Sequence, residues 1–165
     1  MSSHDFLDPP TNDGDLGLLG HYRVLDELGK GGMGFVFRAQ DVKLKRAVAL
    51  KVMNQKIAAT PNSRKRFIDE ARAMAAVHHD NVVTIFEVGE SKGTPFMAME
   101  MLKGKTLESL NTSQERLGFE QVIDYARQIS RGLAAAHHKG IVHRDIKPAN
   151  IWIEAGTGRI KILDF

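Results

Sequence analysis

The sequence predicts an α+β fold, in which five strands with one inserted helix are followed by a mainly helical segment. Two observations support this class. Short segments rich in β-branched and aromatic residues recur before residue 102, and they are separated by glycine-containing turns. Two longer segments instead repeat their apolar residues at the spacing of a helix. At 165 residues, the chain can bury a sizeable core.

Each element is predicted from a local pattern. The two helices are expected over residues 62–78 and 119–136, and Gly140 ends the second one. Two further short strands flank a glycine turn near residue 157, after a loop that carries residues 143–150. The seven predicted strands cover residues 22–28, 35–37, 47–53, 82–88, 95–101, 151–153 and 159–163.

The first 20 residues are predicted to be a flexible acidic leader. They contain four aspartates and no lysine or arginine, and they show no sustained periodicity. The remaining chain has 23 basic residues against 16 acidic ones. Because these cations are scattered and not interleaved with aromatic residues, we expect no nucleic-acid partner.

Composition excludes several classes of site. The chain has no cysteine, which excludes disulfides, thiolate chemistry and cysteine-based zinc sites. No apolar stretch is long enough to cross a bilayer, and the amino terminus lacks the plan of a signal peptide. We therefore expect a cytoplasmic protein without a membrane segment in this chain, and a membrane anchor after residue 165 stays an open alternative.

A glycine cluster suggests phosphate binding. Gly29, Gly31 and Gly34 form a G-x-G-x-x-G pattern between two predicted strands. Glycine lets backbone amides approach a phosphate that side chains would block. Two alternatives stay open at this point: a hairpin turn without a ligand, and a dinucleotide-binding unit, in which the glycines would open a helix.

A lysine lies in the middle of an apolar predicted strand. Burying Lys51 is costly unless the ammonium is paired, so we expect an anion and a carboxylate near it. Glu70, on the following helix, is the natural partner. The alternative is an edge strand whose lysine reaches solvent.

The strongest signal is the segment His143-Arg144-Asp145 with Lys147 and Asn150. It offers a carboxylate as proton acceptor, an ammonium for phosphate and an amide oxygen for a hard cation. A purely structural loop is the alternative. The chain ends shortly afterwards with Asp164-Phe165.

Together these motifs resemble the Hanks-type (eukaryotic-like) serine/threonine protein kinases, especially the bacterial branch, from residue 22 to the end. The resemblance implies a protein-kinase-like fold. Residues 22–102 would form a complete small lobe with a five-stranded antiparallel sheet and one helix. Residues 103–165 would form the incomplete start of a helical large lobe, because the chain stops within the Asp-Phe-Gly motif.

The resemblance also implies roles for individual residues. Asp145 would accept the substrate hydroxyl proton, with Lys147, Lys51 and Glu70 completing the catalytic set, and Asn150 and Asp164 would hold Mg²⁺. Trp152 departs from the family, which commonly has an aliphatic residue there. ATP would contact the glycines and Lys51 together with Leu28, Val36, Ala49, Met99, Glu100, Leu102 and Trp152.

The implied function is ATP-dependent phosphorylation of protein serine or threonine. Because much of the large lobe is missing, we expect the chain to be inactive alone. The alternative is a non-catalytic kinase fragment that binds a nucleotide or a partner. A Rossmann oxidoreductase is disfavoured, since a strand and not a helix is expected after the glycines.

Overall fold

The computed structural model describes residues 4–32, 34–112 and 116–164, which divide into two compact units. The first unit runs to Arg72 and includes Ile85–Met101, and the second contains Ala73–Thr84 and the chain from Leu102 onward. The strands are β1 (Gly17–Leu19), β2 (Tyr22–Gly31), β3 (Gly34–Asp41), β4 (Arg46–Met53), β5 (Ile85–Ser91), β6 (Thr94–Glu100), β7 (Gly104–Thr106), β8 (Ile151–Glu154) and β9 (Ile160–Ile162). The helices are α1 (Gln55–Ala58), α2 (Pro61–Ala75), α3 (Leu107–Thr112) and α4 (Phe119–His137), and Pro148–Asn150 form one 3₁₀ turn.

The first unit is built on an antiparallel sheet in the order β1-β2-β3-β4-β6-β5. It has six strands, so the prediction of five was one strand short. The additional strand is β1, which pairs with the start of β2. It was missed because three residues are too few to show an alternating pattern.

One face of this sheet carries the core of the first unit. Strand pairing places Phe35 opposite Val52 and Phe37 opposite Leu50. Since paired residues project from the same face of a sheet, these side chains form one apolar surface. The buried cluster on it consists of Phe6, Leu19, Tyr22, Val24, Phe35, Phe37, Ala39, Val48, Leu50, Val52, Phe96 and Ala98.

Phe6 and Leu19 belong to this core, which differs from the flexible segment that we expected over residues 1–20. Phe6 is only 3% exposed and Leu19 is fully buried. Asp8 and Leu18 exchange two backbone hydrogen bonds of 2.8 and 2.9 Å, and Lys92 forms an ion pair with Asp8. Phe6 and Leu7 are too few apolar residues to show a periodic pattern, so their burial depends on a complementary surface that only the folded sheet provides.

The second unit contains a smaller antiparallel sheet, β7-β8-β9, packed with α3 and α4. Strand β7 and helix α3 were not predicted from the sequence. Helix α4 buries Tyr125, Gly132 and Ala136, whereas Phe119 at its start is 80% exposed and Val122 is 49% exposed. The core of this unit consists of Leu110, Tyr125, Ile151, Ile153, Ile160 and Ile162.

A buried asparagine joins α4 to β9 in the second unit. Asn81 Nδ2 donates to Gln128 Oε1 and to the backbone oxygen of Ile160, both at 2.9 Å. The backbone oxygen of Asn81 accepts from the amide of Ile162 at 2.9 Å. Gly132 faces this junction, because a Cβ built on it would lie 2.8 Å from Ile162 Cδ1 and 2.9 Å from the Asn81 oxygen.

Gly132→Ala is therefore expected to destabilise the protein, although alanine normally stabilises a helix interior by about 1 kcal/mol relative to glycine. Overpacking against the Asn81 backbone should outweigh that gain and leave a net loss of about 1–2 kcal/mol. Urea unfolding followed by circular dichroism measures this loss of stability. The control is Ser130→Ala, an exposed position on the same helix, and an increase in stability for Gly132→Ala would contradict the packing described.

No helix within residues 4–32, 34–112 and 116–164 combines the length and the apolar content that crossing a bilayer requires.

Candidate active site

The three glycines of the cluster have different structural roles. They lie at the β2–β3 turn, and Met33 within it is outside the described residues. Gly34 has φ +154°, and a Cβ on it would lie 2.0 Å from the Val52 oxygen, so folding itself requires glycine there. A Cβ on Gly29 or Gly31 would meet nothing within 4 Å. Glycine at these two positions is not explained by packing, but it suits close approach of a ligand to the backbone.

The strand that follows the glycines excludes one alternative. A dinucleotide-binding unit requires a helix to begin at its glycines. Here β3 continues as a strand from Gly34 to Asp41. The remaining alternatives for the cluster are the ligand-free hairpin and the phosphate-binding hairpin.

Lys51 lies on an interior strand, since β4 is paired with β3 on one side and with β6 on the other. The edge-strand alternative is thus wrong. Val36 pairs with Lys51, and Ala49 pairs with Met99, which places all four on one face of the sheet. This face is opposite to the one that carries Phe35 and Phe37. Four residues that we predicted to contact ATP therefore share a surface.

The predicted partner of Lys51 is not paired in this structure. Glu70 lies on α2 with an exposed side chain, and it forms no ion pair with any residue in the described ranges of the chain. Both residues belong to the first unit. The Lys51–Glu70 pair thus stays a prediction, and it requires a different position of the Glu70 side chain.

The remaining predicted nucleotide contacts lie on strands β2, β6 and β8 or just after β6. Leu28 precedes the glycines on β2 and is 48% exposed. Glu100 is the last residue of β6 and Leu102 lies two residues later, and both are partly buried. Trp152 lies on β8, and its indole Nε1 donates to the backbone oxygen of Lys103 at 3.3 Å. The indole is thereby held beside the residue that follows Leu102, and its stacking on adenine stays a prediction.

Three residues of the 143–150 loop form a connected cluster in the second unit. Lys147 Nζ lies 2.8 Å from Asp145 Oδ2. Asn150 Nδ2 donates to the same carboxylate oxygen at 3.2 Å and to the backbone oxygen of Asp145 at 2.9 Å. The three residues that the sequence singled out therefore meet at one carboxylate.

His143 orders this loop through both of its ring nitrogens. Its Nε2 lies 2.7 Å from the backbone oxygen of Leu163, and its Nδ1 accepts from the amide of Asp145 at 3.2 Å. Because a carbonyl oxygen can only accept, the proton is assigned to Nε2 and the ring is neutral. His143 thus links the Asp145 backbone to the residue preceding Asp164. The sequence indicated His143 as part of the motif but not this connection.

Two residues at the predicted catalytic and metal-binding positions, or next to them, have strained backbone conformations. Arg144 has φ +64° and Asp164 has φ +50°. Of the other two non-glycine residues with positive φ among those described, Lys45 lies in the β3–β4 turn and Lys92 in the β5–β6 turn. Such conformations cost of order 1 kcal/mol outside turns and are common at functional sites. Their position therefore supports a functional interpretation of this loop.

Electrostatics favour an ionised Asp145. The hydrogen bond from Lys147 holds the pKa of Asp145 below its ordinary value, and the Asn150 amide adds to this effect. The same contact raises the pKa of Lys147, with a further contribution from the charge of Asp164. Both groups are therefore charged across the neutral pH range.

Lys147→Met is expected to raise the pKa of Asp145 toward the ordinary aspartate value of 3.8, because the main stabilising hydrogen bond is lost. The stability that this pair contributes is present above pH 3.8 and is lost as pH falls through the lowered pKa. An NMR titration of the Asp145 carboxyl carbon measures the shift. Lys139→Met, at an exposed lysine, is the control, and an unchanged Asp145 pKa in Lys147→Met would contradict the interaction.

The donors predicted for Mg²⁺ suit a hard cation. Asn150 is 7% exposed, and both of its described side-chain hydrogen bonds use Nδ2, which leaves the amide oxygen Oδ1 as a possible ligand. Asp164 supplies a carboxylate in the same unit. One amide oxygen and one carboxylate match the few protein ligands that Mg²⁺ takes beside phosphate oxygens and water.

A glycine hairpin, an interior-strand lysine and this Asp–Lys–Asn loop are features of protein kinase domains. The family described as "Protein kinase domain" matches residues 22–165. The chain belongs to this family, whose curated relatives are serine/threonine protein kinases.

Individual relatives agree with this assignment. The chain is 38% identical over 153 residues to PknA of Mycobacterium tuberculosis, covering 90% of this chain and 35% of PknA. It is 38% identical over 148 residues to a probable serine/threonine-protein kinase of Clostridium acetobutylicum, covering 90% and 22% respectively. The crystal structure of the Mycobacterium tuberculosis PknI kinase domain has a TM-score of 0.78 at 29% identity, covering 90% of this chain and 60% of that chain. The chain thus spans about a third or less of these two curated relatives.

Proposed function

We propose that these residues serve the transfer of the γ-phosphoryl group of ATP to serine or threonine of a protein substrate. The observation that carries this proposal is the convergence of Lys147 and Asn150 on Asp145. This arrangement presents an ionised, exposed carboxylate between an ammonium group and an amide, as a proton acceptor beside a phosphate site would require. Lys147, two residues after Asp145, also matches the serine/threonine type and not the tyrosine type of kinase.

In the proposed reaction, Asp145 orients the substrate hydroxyl and accepts its proton. The contacts from Lys147 and Asn150 both reach Oδ2, which leaves Oδ1 for the hydroxyl. The hydrogen bond from Lys147 lowers the pKa of Asp145, so the carboxylate is ionised at neutral pH and can orient the hydroxyl group. Lys147 adds positive charge where the transferred phosphoryl group carries negative charge.

ATP and Mg²⁺ are the proposed cofactors. The backbone at Gly29 and Gly31 would contact the phosphates, and Lys51 would bind the α- and β-phosphates. Asn150 and Asp164 would hold Mg²⁺, which neutralises phosphate charge when bound. The site is proposed to act on protein in the cytoplasm and not on nucleic acid.

For the 165-residue polypeptide alone, we propose nucleotide binding without turnover. It covers 60% of the PknI chain, and the start of α4 exposes Phe119 and Val122. The second candidate function is therefore a non-catalytic kinase fragment that binds nucleotide or a partner. What supports it is the exposed Glu70, since phosphoryl transfer needs Lys51 and Glu70 to be paired.

Calorimetry and a phosphorylation assay separate these candidates. Titration with Mg-ADP should show one site on the wild-type chain, and binding should weaken when Mg²⁺ is chelated. Transfer of phosphate from Mg-ATP to a generic basic protein should be absent from both the wild-type chain and Asp145→Asn. Turnover by the wild type that Asp145→Asn loses would show that the isolated chain is active. A lack of nucleotide binding would contradict the function proposed for this chain.

A further inference from the structure

The leader contacts both strands of the glycine hairpin. His4 Nε2 lies 3.0 Å from Glu27 Oε2, on β2. The ring of His4 also meets Phe35 and Phe37 of β3 edge-on, with centroids 5.2 Å away in each case. Phe6 lies 6.1 Å from each of the same two rings. One short segment thus spans the hairpin on the face opposite to Lys51.

These contacts lie next to the glycines. Glu27 is two residues before Gly29, and Phe35 directly follows Gly34. The β2–β3 pairing is irregular between Glu27 and Gly29, as it is between Val24 and Asp26. A bulged ladder holds its two strands less firmly than a regular one. The leader therefore adds a cross-connection where the hairpin's own hydrogen bonding is interrupted.

The segment is also anchored at its other end. Asp8 exchanges two backbone hydrogen bonds with Leu18 and pairs with Lys92. At Gly17, a Cβ would lie 2.4 Å from the Asp8 backbone oxygen, so only glycine lets the leader pass this closely. Residues 4–8 are thus held against the sheet from both ends, and His4 is positioned by more than its own contacts.

We propose that His4 and Phe6 are positioning residues that hold the glycine hairpin in the conformation that binds nucleotide phosphate; this rests on the proposed function. They do not contact the nucleotide, since they lie on the opposite face of the sheet from Val36 and Lys51. A hairpin ordered in advance loses less conformational entropy when the phosphates bind. Losing the cross-connection should weaken Mg-ADP binding by roughly 3- to 10-fold.

The test compares leader variants with controls on the full chain. His4→Ala and Phe6→Ala remove the contacts to the hairpin, and His4→Phe keeps an aromatic ring there. Asp5→Ala changes an exposed residue of the same segment. Leu19→Ala weakens the same core away from the glycines and controls for lost stability. Each variant is measured by calorimetry with Mg-ADP, by thermal unfolding, and by hydrogen exchange of the amides of residues 27–37 without nucleotide.

We expect His4→Ala and Phe6→Ala to speed exchange in the hairpin and to weaken binding, and His4→Phe to restore part of both. Leu19→Ala should lower the melting temperature without either effect, and Asp5→Ala should resemble the wild type. Equal hairpin exchange in His4→Ala and the wild type would overturn the proposal, as would affinity losses that follow melting temperature across all variants. If the wild type binds no Mg-ADP, the proposed function fails, while the exchange data still decide whether the leader orders the hairpin.

Discussion

Gly34→Ala is expected to lower the free energy of unfolding by about 3 kcal/mol, the largest stability effect among the glycine substitutions of the hairpin. A Cβ at this position would lie 2.0 Å from the Val52 oxygen and 2.9 Å from the Asn54 amide nitrogen. Both are backbone atoms, so relieving the clash requires β3 and β4 to separate. The positive φ of Gly34 adds strain for any residue with a side chain. Chemical unfolding followed by far-UV circular dichroism measures the loss.

Gly31→Ala is the matched control. A Cβ there meets nothing within 4 Å, so stability should change by less than about 0.5 kcal/mol. Mg-ADP binding should nevertheless weaken, because the added methyl group would occupy space that a phosphate needs. If Gly31→Ala leaves binding unchanged, the hairpin is a turn without a ligand. If Gly34→Ala is as stable as the wild type, the β3–β4 spacing described is wrong.

Lys51→Met is expected to weaken Mg-ADP binding by roughly 10- to 100-fold, the largest binding effect of a single side chain. A charge-assisted hydrogen bond to phosphate contributes about 1.5–3 kcal/mol, and about 1.4 kcal/mol corresponds to a factor of ten. Methionine keeps most of the aliphatic length of lysine, so the packing on interior strand β4 is largely preserved. Calorimetric titration with Mg-ADP and with adenosine separates the phosphate contribution from that of the base.

Adenosine provides the internal comparison, since its affinity should be similar for Lys51→Met and the wild type. Lys43→Met removes an exposed lysine after β3 and should bind Mg-ADP normally. Equal Mg-ADP affinity of Lys51→Met and the wild type would exclude Lys51 as a phosphate ligand. A similar loss in Lys43→Met would instead indicate a nonspecific effect of positive charge.

The sequence predicted the elements whose patterns are local and long. Helix α4, from Phe119 to His137, differs from its prediction by one residue, because its apolar residues repeat over five turns. Strand β5 was predicted from residue 82 but begins at Ile85. The amide of Val83 instead donates to the backbone oxygen of Ile162, so residues 82–84 follow a tertiary contact and do not extend strand β5. Strand β1 and helix α3 were missed because both are too short to show a periodic pattern.

The candidate site was predicted unevenly. Asp145, Lys147 and Asn150 were recognised from their residue types and spacing, and the structure brings them together. Glu70 was predicted to face Lys51, but its orientation depends on how α2 packs, which no local pattern encodes. The tautomer of His143 likewise depends on Leu163, which lies twenty residues along the chain.

The sequence by itself determined the family and the identity of the chemical groups, because kinase motifs are short stretches whose residue types and spacing carry the chemistry. Only the tertiary structure showed that Gly34 serves the fold, while Gly29 and Gly31 leave open space for a ligand. It also placed Lys51 on an interior strand, and it placed His4 and Phe6 on the opposite face of the same sheet. These distinctions depend on contacts between residues far apart in sequence, such as His4 with Glu27, and such contacts leave no periodic signal in the chain.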